Sequence, residues 1–361
     1  MVSKALVVGA YHGKLVALAR EPDIELMAVV PESWIEGGLI QRAEDVAAEG
    51  YSVHRTSLRL NGRYHVYTYR DLSTTLRNFR PDLVHIDEEP YNLATLQACR
   101  ASLRLRAGCV FFAWQNLARR YPPPFRWIES WVYRRADGIA GTGEALRVLR
   151  EKGFKRRCAV IPQFGIDPNV FAPLEAPRPR DVFRIGWAGR MVSEKGVQVL
   201  IEAVRRIDPP IELVLAGSGP YERELRALAH GVRVRFLGPL PSHGMPGFFR
   251  SLDCVVMPTI GRPGWVEQFG RSVVEAMACG VPTVVSDAGE LPHLVDDAGI
   301  VVPRGNVEAL RTALESLRGD ITSRHRLAKV GRAHVLAHYT HGQIAAQTAA
   351  FYREVLGSSS P

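Results

Sequence analysis

Two series of short apolar runs, each run set off by helix-like material and the two series parted by a proline-rich stretch, constrain this chain more than any other feature. The first series reads 2–10, 26–30, 82–87, 110–114 and 138–142, and the second reads 183–189, 211–217, 232–237, 254–258 and 282–286. Runs of this kind suit strands buried on both faces, and strands alternating with helices predict a parallel sheet with helices on both sides. Between the series, Ile161-Pro162 is followed by Asp167-Pro168, Pro173, Pro177 and Pro179, a composition that reads as a linker. The expected fold class is therefore α/β, with two Rossmann-like domains facing each other across a cleft at the carboxyl ends of their strands. The expected boundaries are 1–174 for the first domain, 175–337 for the second, and 338–361 for a helix that crosses back to the first domain and ends in a frayed tail.

Composition agrees with two soluble globular domains: 361 residues, 46% hydrophobic and 23% charged. Five scattered cysteines, none in a C-x-x-C pair, fit a reducing compartment without structural zinc. The apolar run at the start is too short for an export signal, and His12 and Lys14 follow it at once. No apolar stretch approaches the roughly 20 residues needed to span a bilayer. These features point to a cytoplasmic protein. The formal charge of +9 is concentrated: residues 100–157 hold fourteen Lys or Arg against Glu129, Asp137, Glu144 and Glu151. Such a segment attracts phosphate-bearing partners, whether substrate, anionic membrane surface or nucleic acid, and no recognised nucleic-acid module accompanies it.

The densest chemical signal lies in 263–282. Pro263 and Gly264 make a loop, Gly270 permits a sharp turn, and 271–279 suits a short helix closed by Gly280 and Pro282. Glu267 is thereby delivered to the mouth of a helix, where free N–H groups can hold a phosphate and a carboxylate can accept hydrogen bonds from hydroxyls. Phosphate together with hydroxyls describes a nucleotide sugar. Glu275 follows eight residues on, about 12 Å if the segment were all helical, so the two acids should touch different parts of a long ligand. Glu275 sits among Val273, Val274, Ala276, Met277 and Ala278, where an acid is expensive without a partner. A ribose diol fits that need.

Other loops at strand ends add to this. Arg190 and Lys195, in Gly189-Arg190-Met191-Val192-Ser193-Glu194-Lys195-Gly196, could neutralise a diphosphate. Gly217 and Gly219, in Ala216-Gly217-Ser218-Gly219-Pro220, form a further glycine-rich turn, and Gly13 marks a strand-to-helix turn that would let a phosphate come close.

Taken together, the Gly-Arg…Glu-Lys-Gly loop, the Gly-Ser-Gly-Pro loop, the two glutamates, 161–167 and 286–292 resemble the retaining GT-B-fold glycosyltransferases of the large bacterial family with the E-x7-E motif. The resemblance implies that Arg190 and Lys195 bind the donor diphosphate and Glu267 the donor sugar. It also implies that backbone N–H groups around Phe269, Gly270, Arg271 and Ser272 support sugar and phosphate, and that Glu275 holds the ribose. Catalysis would rest on Glu267, Arg190 and Lys195, with a UDP or GDP sugar as donor and no further cofactor. No D-x-D sequence occurs, in keeping with a metal-independent reaction. Many members carry a histidine where this chain has Trp114-Gln115-Asn116; Gln115 aligns with it, and an amide cannot exchange a proton at neutral pH.

Acceptors in this family bind the first domain. Glu88 and Glu89, in His85-Ile86-Asp87-Glu88-Glu89-Pro90, and His12 read either as acceptor ligands or as ordinary loop residues, and Gln115 joins them as a candidate. Residues 119–135 mix arginines with Trp127, Ile128 and Trp131 at helical spacing, which suits either core packing or a helix resting on anionic lipid. The implied reaction moves a hexose to a glycan or lipid-linked acceptor with retention. The alternatives are a GT-B-fold sugar-nucleotide epimerase and a sugar-nucleotide-binding protein without turnover.

Overall fold

The computed structural model describes residues 1–36, 38–174 and 181–357. Pro177, Pro179 and the tail beyond Gly357 lie outside the described residues. The chain divides into two compact units, Met1–Gly165 with His341–Pro361, and Ile166–Thr340. These divisions fall nine residues before and three residues after the expected ones. Ile166 bridges Thr340, and its amide donates to the Tyr339 carbonyl at 2.9 Å. The strand entering the second unit is thus tied beside the strand leaving it, ahead of the prolines.

In the first unit the parallel ladder runs Leu83–Ile86, Gly108–Ala113, Asp137–Ala140 and Cys158–Val160 in that spatial order. A second parallel pair, Met27–Pro31 with Ser52–Thr56, joins it through one residue. That residue is Val2, which bridges Val29 on one side and Ile86 on the other. The strand expected over 2–10 is therefore reduced to a single position, and Ala5–Val7 and Gly9–Tyr11 wind into 3-10 turns. Side chains explain the break. Ser3 Oγ donates to Asp87 at 2.9 Å, Lys4 Nζ reaches Glu88 at 2.5 Å, and His12 Nε2 bonds the Leu6 carbonyl at 2.8 Å. Each of these pulls the chain out of the extended form just after Val2.

Helix Gly13–Ala19 follows, and helix His341–Gly357 packs against it. His341 fits between two bare positions: a β-carbon at Gly13 would lie 2.4 Å from its Nε2, and one at Gly165 would lie 2.7 Å from its backbone N. Ile344, Ala345, Ala349, Phe351 and Val355 of that helix are buried in the first unit's core. The single helical stretch expected over 326–356 is in fact two helices, Ile321–His338 and His341–Gly357. Helix Phe125–Tyr133 buries Glu129, Val132 and Tyr133; Trp131 is half-buried under Arg135 (4.4 Å from ring centroid), while Trp127 is 65% exposed. Among the described residues, no helix is long and apolar enough to cross a membrane.

The second unit holds a six-stranded parallel sheet in the order Val234–Gly238, Ile211–Ala216, Phe183–Ala188, Cys254–Met257, Thr283–Ser286, Ile300–Val302. Every residue of Ile211–Ala216, Cys254–Met257 and Thr283–Ser286 is buried, as expected of strands covered on both faces. Helices Val197–Arg205 and Val307–Gly319 supply part of that cover, with Trp187 wholly enclosed in the core.

Candidate active site

In the second sheet the strand order reverses between Phe183–Ala188 and Cys254–Met257. Open α/β sheets form a crevice outside the carboxyl ends of their strands at such a point. The loop after the first of these strands carries Arg190 and the turn Ser193–Lys195; the loop after the second runs from Thr259 through Glu267 to helix Arg271–Ala278. Backbone locks the two loops together. The amides of Ile260 and Gly261 donate to the Glu194 carbonyl at 3.0 and 3.1 Å, and Arg262 pairs with the Glu194 carboxylate at 3.3 Å.

Lys195 and Glu267 meet as a result. Lys195 Nζ lies 2.6 Å from Glu267 Oε2, which also accepts from Thr259 Oγ1 at 3.1 Å. Ser286 Oγ donates to the Thr259 carbonyl at 2.5 Å, so the next strand end is tied to the same group. Glu267 is buried and the Trp265 ring centroid is 5.0 Å from the Lys195 ammonium. A buried carboxylate with a cation and a hydroxyl on it has its desolvation offset. The Glu267 carbonyl also accepts from the Glu290 amide at 3.2 Å, which fixes the loop against 286–292.

Gly270 caps the helix at φ 88°, and a β-carbon there would press to 2.7 Å from Leu291 Cδ2. Phe269, buried beside it, sets its ring 5.8 Å from that of Tyr339. The amides of Val273 and Val274 return to the Gly270 carbonyl, so Ser272, in the first turn, has no helical carbonyl behind its own N–H. Glu275 faces inward and is buried; Arg271 Nε lies 2.8 Å from its Oε1. Burial pushes the Glu275 carboxyl up, and Arg271 offsets part of that. The partner that the apolar surroundings demanded is thus present one helical turn back, at a spacing of four that was visible in the sequence.

Arg190 is exposed and its side chain has no partner among the described residues. Gly217 and Gly219 press on the loop that holds it. At Gly217 (φ 124°) a β-carbon would fall 1.8 Å from the Gly189 carbonyl oxygen, and at Gly219 2.3 Å from that of Met191. The Met191 amide donates to the Ser218 carbonyl at 2.8 Å and the Tyr221 amide to Met191 at 3.0 Å. Both glycines therefore have a backbone-packing reason to be glycine, as does Gly13 against His341.

In the first unit the acceptor candidates part company. His12 is buried with both ring nitrogens engaged, Nδ1 with the Tyr51 hydroxyl at 2.7 Å and Nε2 with the Leu6 carbonyl, which leaves neither for an acceptor. Glu88 is charge-paired with Lys4, whose ammonium lies 5.5 to 5.8 Å from the rings of Trp34, Tyr64 and Tyr67. Glu88 Oε1 and Glu89 Oε2 are both shut off from solvent without a partner among the described residues, and Glu89 Oε1 accepts from the Trp114 amide at 2.8 Å. Burial pushes the Glu89 carboxyl up to about 7 against the pull of the Trp114 amide and Lys152. Gln115 Oε1 accepts from Lys152 Nζ at 2.8 Å, while Gln115 Nε2 is buried without a partner. Lys152 in turn pairs with buried Glu129, under the rings of Tyr91 and Tyr121. No periodicity links Lys152 to Glu129, 23 residues away, and the fold alone reveals them as part of this cluster. Among the described residues, no group of three or more His, Cys, Asp or Glu side chains could hold a metal ion.

Residues 182–320 match the family model for glycosyl transferases group 1, and residues 36–170 match that for glycosyltransferase family 4. Each half of the chain thus matches a glycosyltransferase model, the second half that of group 1. Among curated relatives, the GDP-mannose-dependent monoacylated alpha-(1-6)-phosphatidylinositol monomannoside mannosyltransferase of Corynebacterium glutamicum is 36% identical over 164 residues, 43% of each chain. The D-inositol 3-phosphate glycosyltransferase of Paenarthrobacter aurescens is 31% identical over 214 residues, 53% of this chain and 50% of that one. The chain thus spans about half the length of these curated relatives. The crystal structure of Anabaena HepE in complex with UDP has a TM-score of 0.73 at 18% identity, covering 98% of both chains. The chain therefore has the GT-B fold.

Proposed function

We propose that the protein transfers a hexose from a nucleoside diphosphate sugar to a glycan or lipid-linked acceptor, with retention at the anomeric carbon and without a metal, in the cytoplasm. The observation that carries this reading is the pairing of half-buried Lys195 with buried Glu267 at the reversal point of the second sheet, beside the Gly270-capped helix. Lys195 and the partnerless Arg190 would take the diphosphate, and the helix mouth from Phe269 to Ser272 would support it. Glu267 would accept from sugar hydroxyls, and Glu275, with Arg271 on Oε1, would offer Oε2 to the ribose. In the transfer, the bond from C1 to the phosphate oxygen breaks and the bond from C1 to the acceptor oxygen forms on the same face. The acceptor's proton passes to the departing phosphate. The protein then contributes position and charge rather than a base, consistent with an amide at Gln115.

The relatives' donors narrow the choice: one is GDP-mannose-dependent, and the Anabaena structure holds UDP. On the acceptor side, a hydroxyl could donate to Glu89 Oε2 and accept from Gln115 Nε2, the two buried atoms left unpaired in that cluster. Thermal shifts against UDP, GDP, ADP and dTDP sugars identify the donor, since a ligand bound only by the folded form raises the melting temperature. Release of nucleoside diphosphate should then depend on added acceptor, with an anomeric configuration that matches the donor's by NMR. Steady release without any acceptor, or an inverted product, would refute the reading.

A further inference from the structure

Four neighbouring parallel strands of the first unit each have an arginine at their amino end. Arg80 precedes Leu83–Ile86, Arg106 precedes Gly108–Ala113, Arg135 precedes Asp137–Ala140, and Arg156 precedes Cys158–Val160. Adjacent strands lie about 4.8 Å apart, which spaces the four entry points over roughly 14 Å along this end of the sheet. Glu88, Glu89 and Gln115 follow the carboxyl ends of the same strands, at the opposite end. The four arginines and Arg77 line a single cleft of about 590 Å³.

The charges there are only partly answered. Asp137 is taken up by Arg156 through two contacts of 3.1 Å, and Arg135 lies over the Trp131 ring at 4.4 Å. Arg77, Arg80 and Arg106 make no side-chain hydrogen bond, ion pair or ring contact among the described residues, and Asp82 is the one other acid in the lining. Two of these arginines also sit where glycine is the usual residue. Arg80 (φ 54°, ψ 57°) and Arg106 (φ 57°, ψ 28°) are left-handed caps at the ends of helices Leu72–Phe79 and Leu93–Leu105. The helix dipole favours a cation at each helix end taken singly. It does not call for five around one cavity, four of them without an ion-pair partner among the described residues.

We propose that this cleft binds a phosphate-bearing anion, gripped by Arg77, Arg80 and Arg106. Guanidinium forks match phosphate oxygens two at a time, and the volume lies within the usual range of small-molecule sites. A soluble diphosphate and the phosphate of a lipid headgroup offer the same chemistry. The side chains involved belong to the first unit, whereas Arg190 and Lys195 belong to the second, so the two sites draw on separate residues.

The test uses the full chain and the variant R80G/R106G, chosen because glycine suits both backbone positions and should leave the melting temperature unchanged or higher. R77Q serves as a second variant whose backbone is ordinary helix. Inorganic pyrophosphate is titrated calorimetrically into wild type, both variants and R190A. Vesicles of phosphatidylglycerol and of phosphatidylcholine are sedimented with the same proteins. A pyrophosphate component at least about tenfold weaker in R80G/R106G and R77Q but retained in R190A identifies a soluble ligand. Loss of phosphatidylglycerol binding alone in those variants identifies a lipid phosphate. If R80G/R106G and R77Q match wild type with both probes, the proposal is overturned.

Discussion

Lys195 with Glu267 in the second unit, and Lys152 with Glu129 in the first, both set a lysine on a buried carboxylate, yet the atoms around them are spent differently. Around Lys195 the neighbouring hydroxyl of Thr259 is bonded to the same carboxylate, and Ser286 is bonded to Thr259 in turn. Around Lys152 two polar atoms are left over, Glu89 Oε2 and Gln115 Nε2. The second unit's pair is closed by backbone contacts between adjacent loops. The first unit's pair anchors a cluster that still lacks one donor and one acceptor. Burial without a partner costs free energy, so the difference marks where an incoming hydroxyl would gain most.

Four changes would break or sharpen this contrast. The largest is Lys152→Met, which strands Glu129 in the interior; loss of one partner of a buried pair should cost about 3–5 kcal/mol, read from urea unfolding of the first unit's transition. A change under about 1 kcal/mol, typical of an exposed pair, would mean that Glu129 is not as dry as its surroundings indicate. Next is Glu267→Gln, expected to lower kcat about 10²- to 10³-fold while melting stays within a few degrees. Comparable losses of activity and stability would instead make this pair structural, like the other one.

The third concerns pH. Glu89 titrates at about 7 when folded and near 4.3 when unfolded, so between those values the folded state keeps a proton that the unfolded chain has released. Its contribution is greatest below about pH 4, falls as pH rises to about 7, and is level above that. Glu89→Gln keeps the acceptor for the Trp114 amide and should flatten that decline in a series of urea midpoints. An unchanged slope would place its source elsewhere. The smallest effect is expected of Arg190→Ala, whose side chain has no partner among the described residues: unchanged melting and a donor KM raised about tenfold. A destabilised variant would show that Arg190 is engaged after all.

The strands were legible because buried parallel strands are apolar throughout, and glycines or prolines bound each run. Glu267, Lys195 and the Gly270 cap could be read as well, since loop, turn and helix are contiguous in sequence. The strand over 2–10 could not, because what ends it after Val2 is a set of contacts with Asp87 and Glu88, some 84 residues away. Gly217 and Gly219 were legible as a glycine-rich turn at a strand end, but the neighbouring carbonyls that each packs against were not. His12 has the composition of a ligand and the contacts of an internal strut, and Glu88 spends one carboxylate oxygen on Lys4. The Lys152 cluster draws on strand-end loops and two helices, and no local pattern announces such an assembly.

The return of helix His341–Gly357 to the first unit has a consequence for synthesis. A ribosome completes 166–340 while the surface that awaits Ile344, Ala345, Ala349 and Phe351 is still bare. Domains commonly mature in the order they emerge, but here the earlier-made half must wait for a helix made after the second half. A nascent chain stalled near residue 340 should therefore carry a protease-resistant second half and a labile first half.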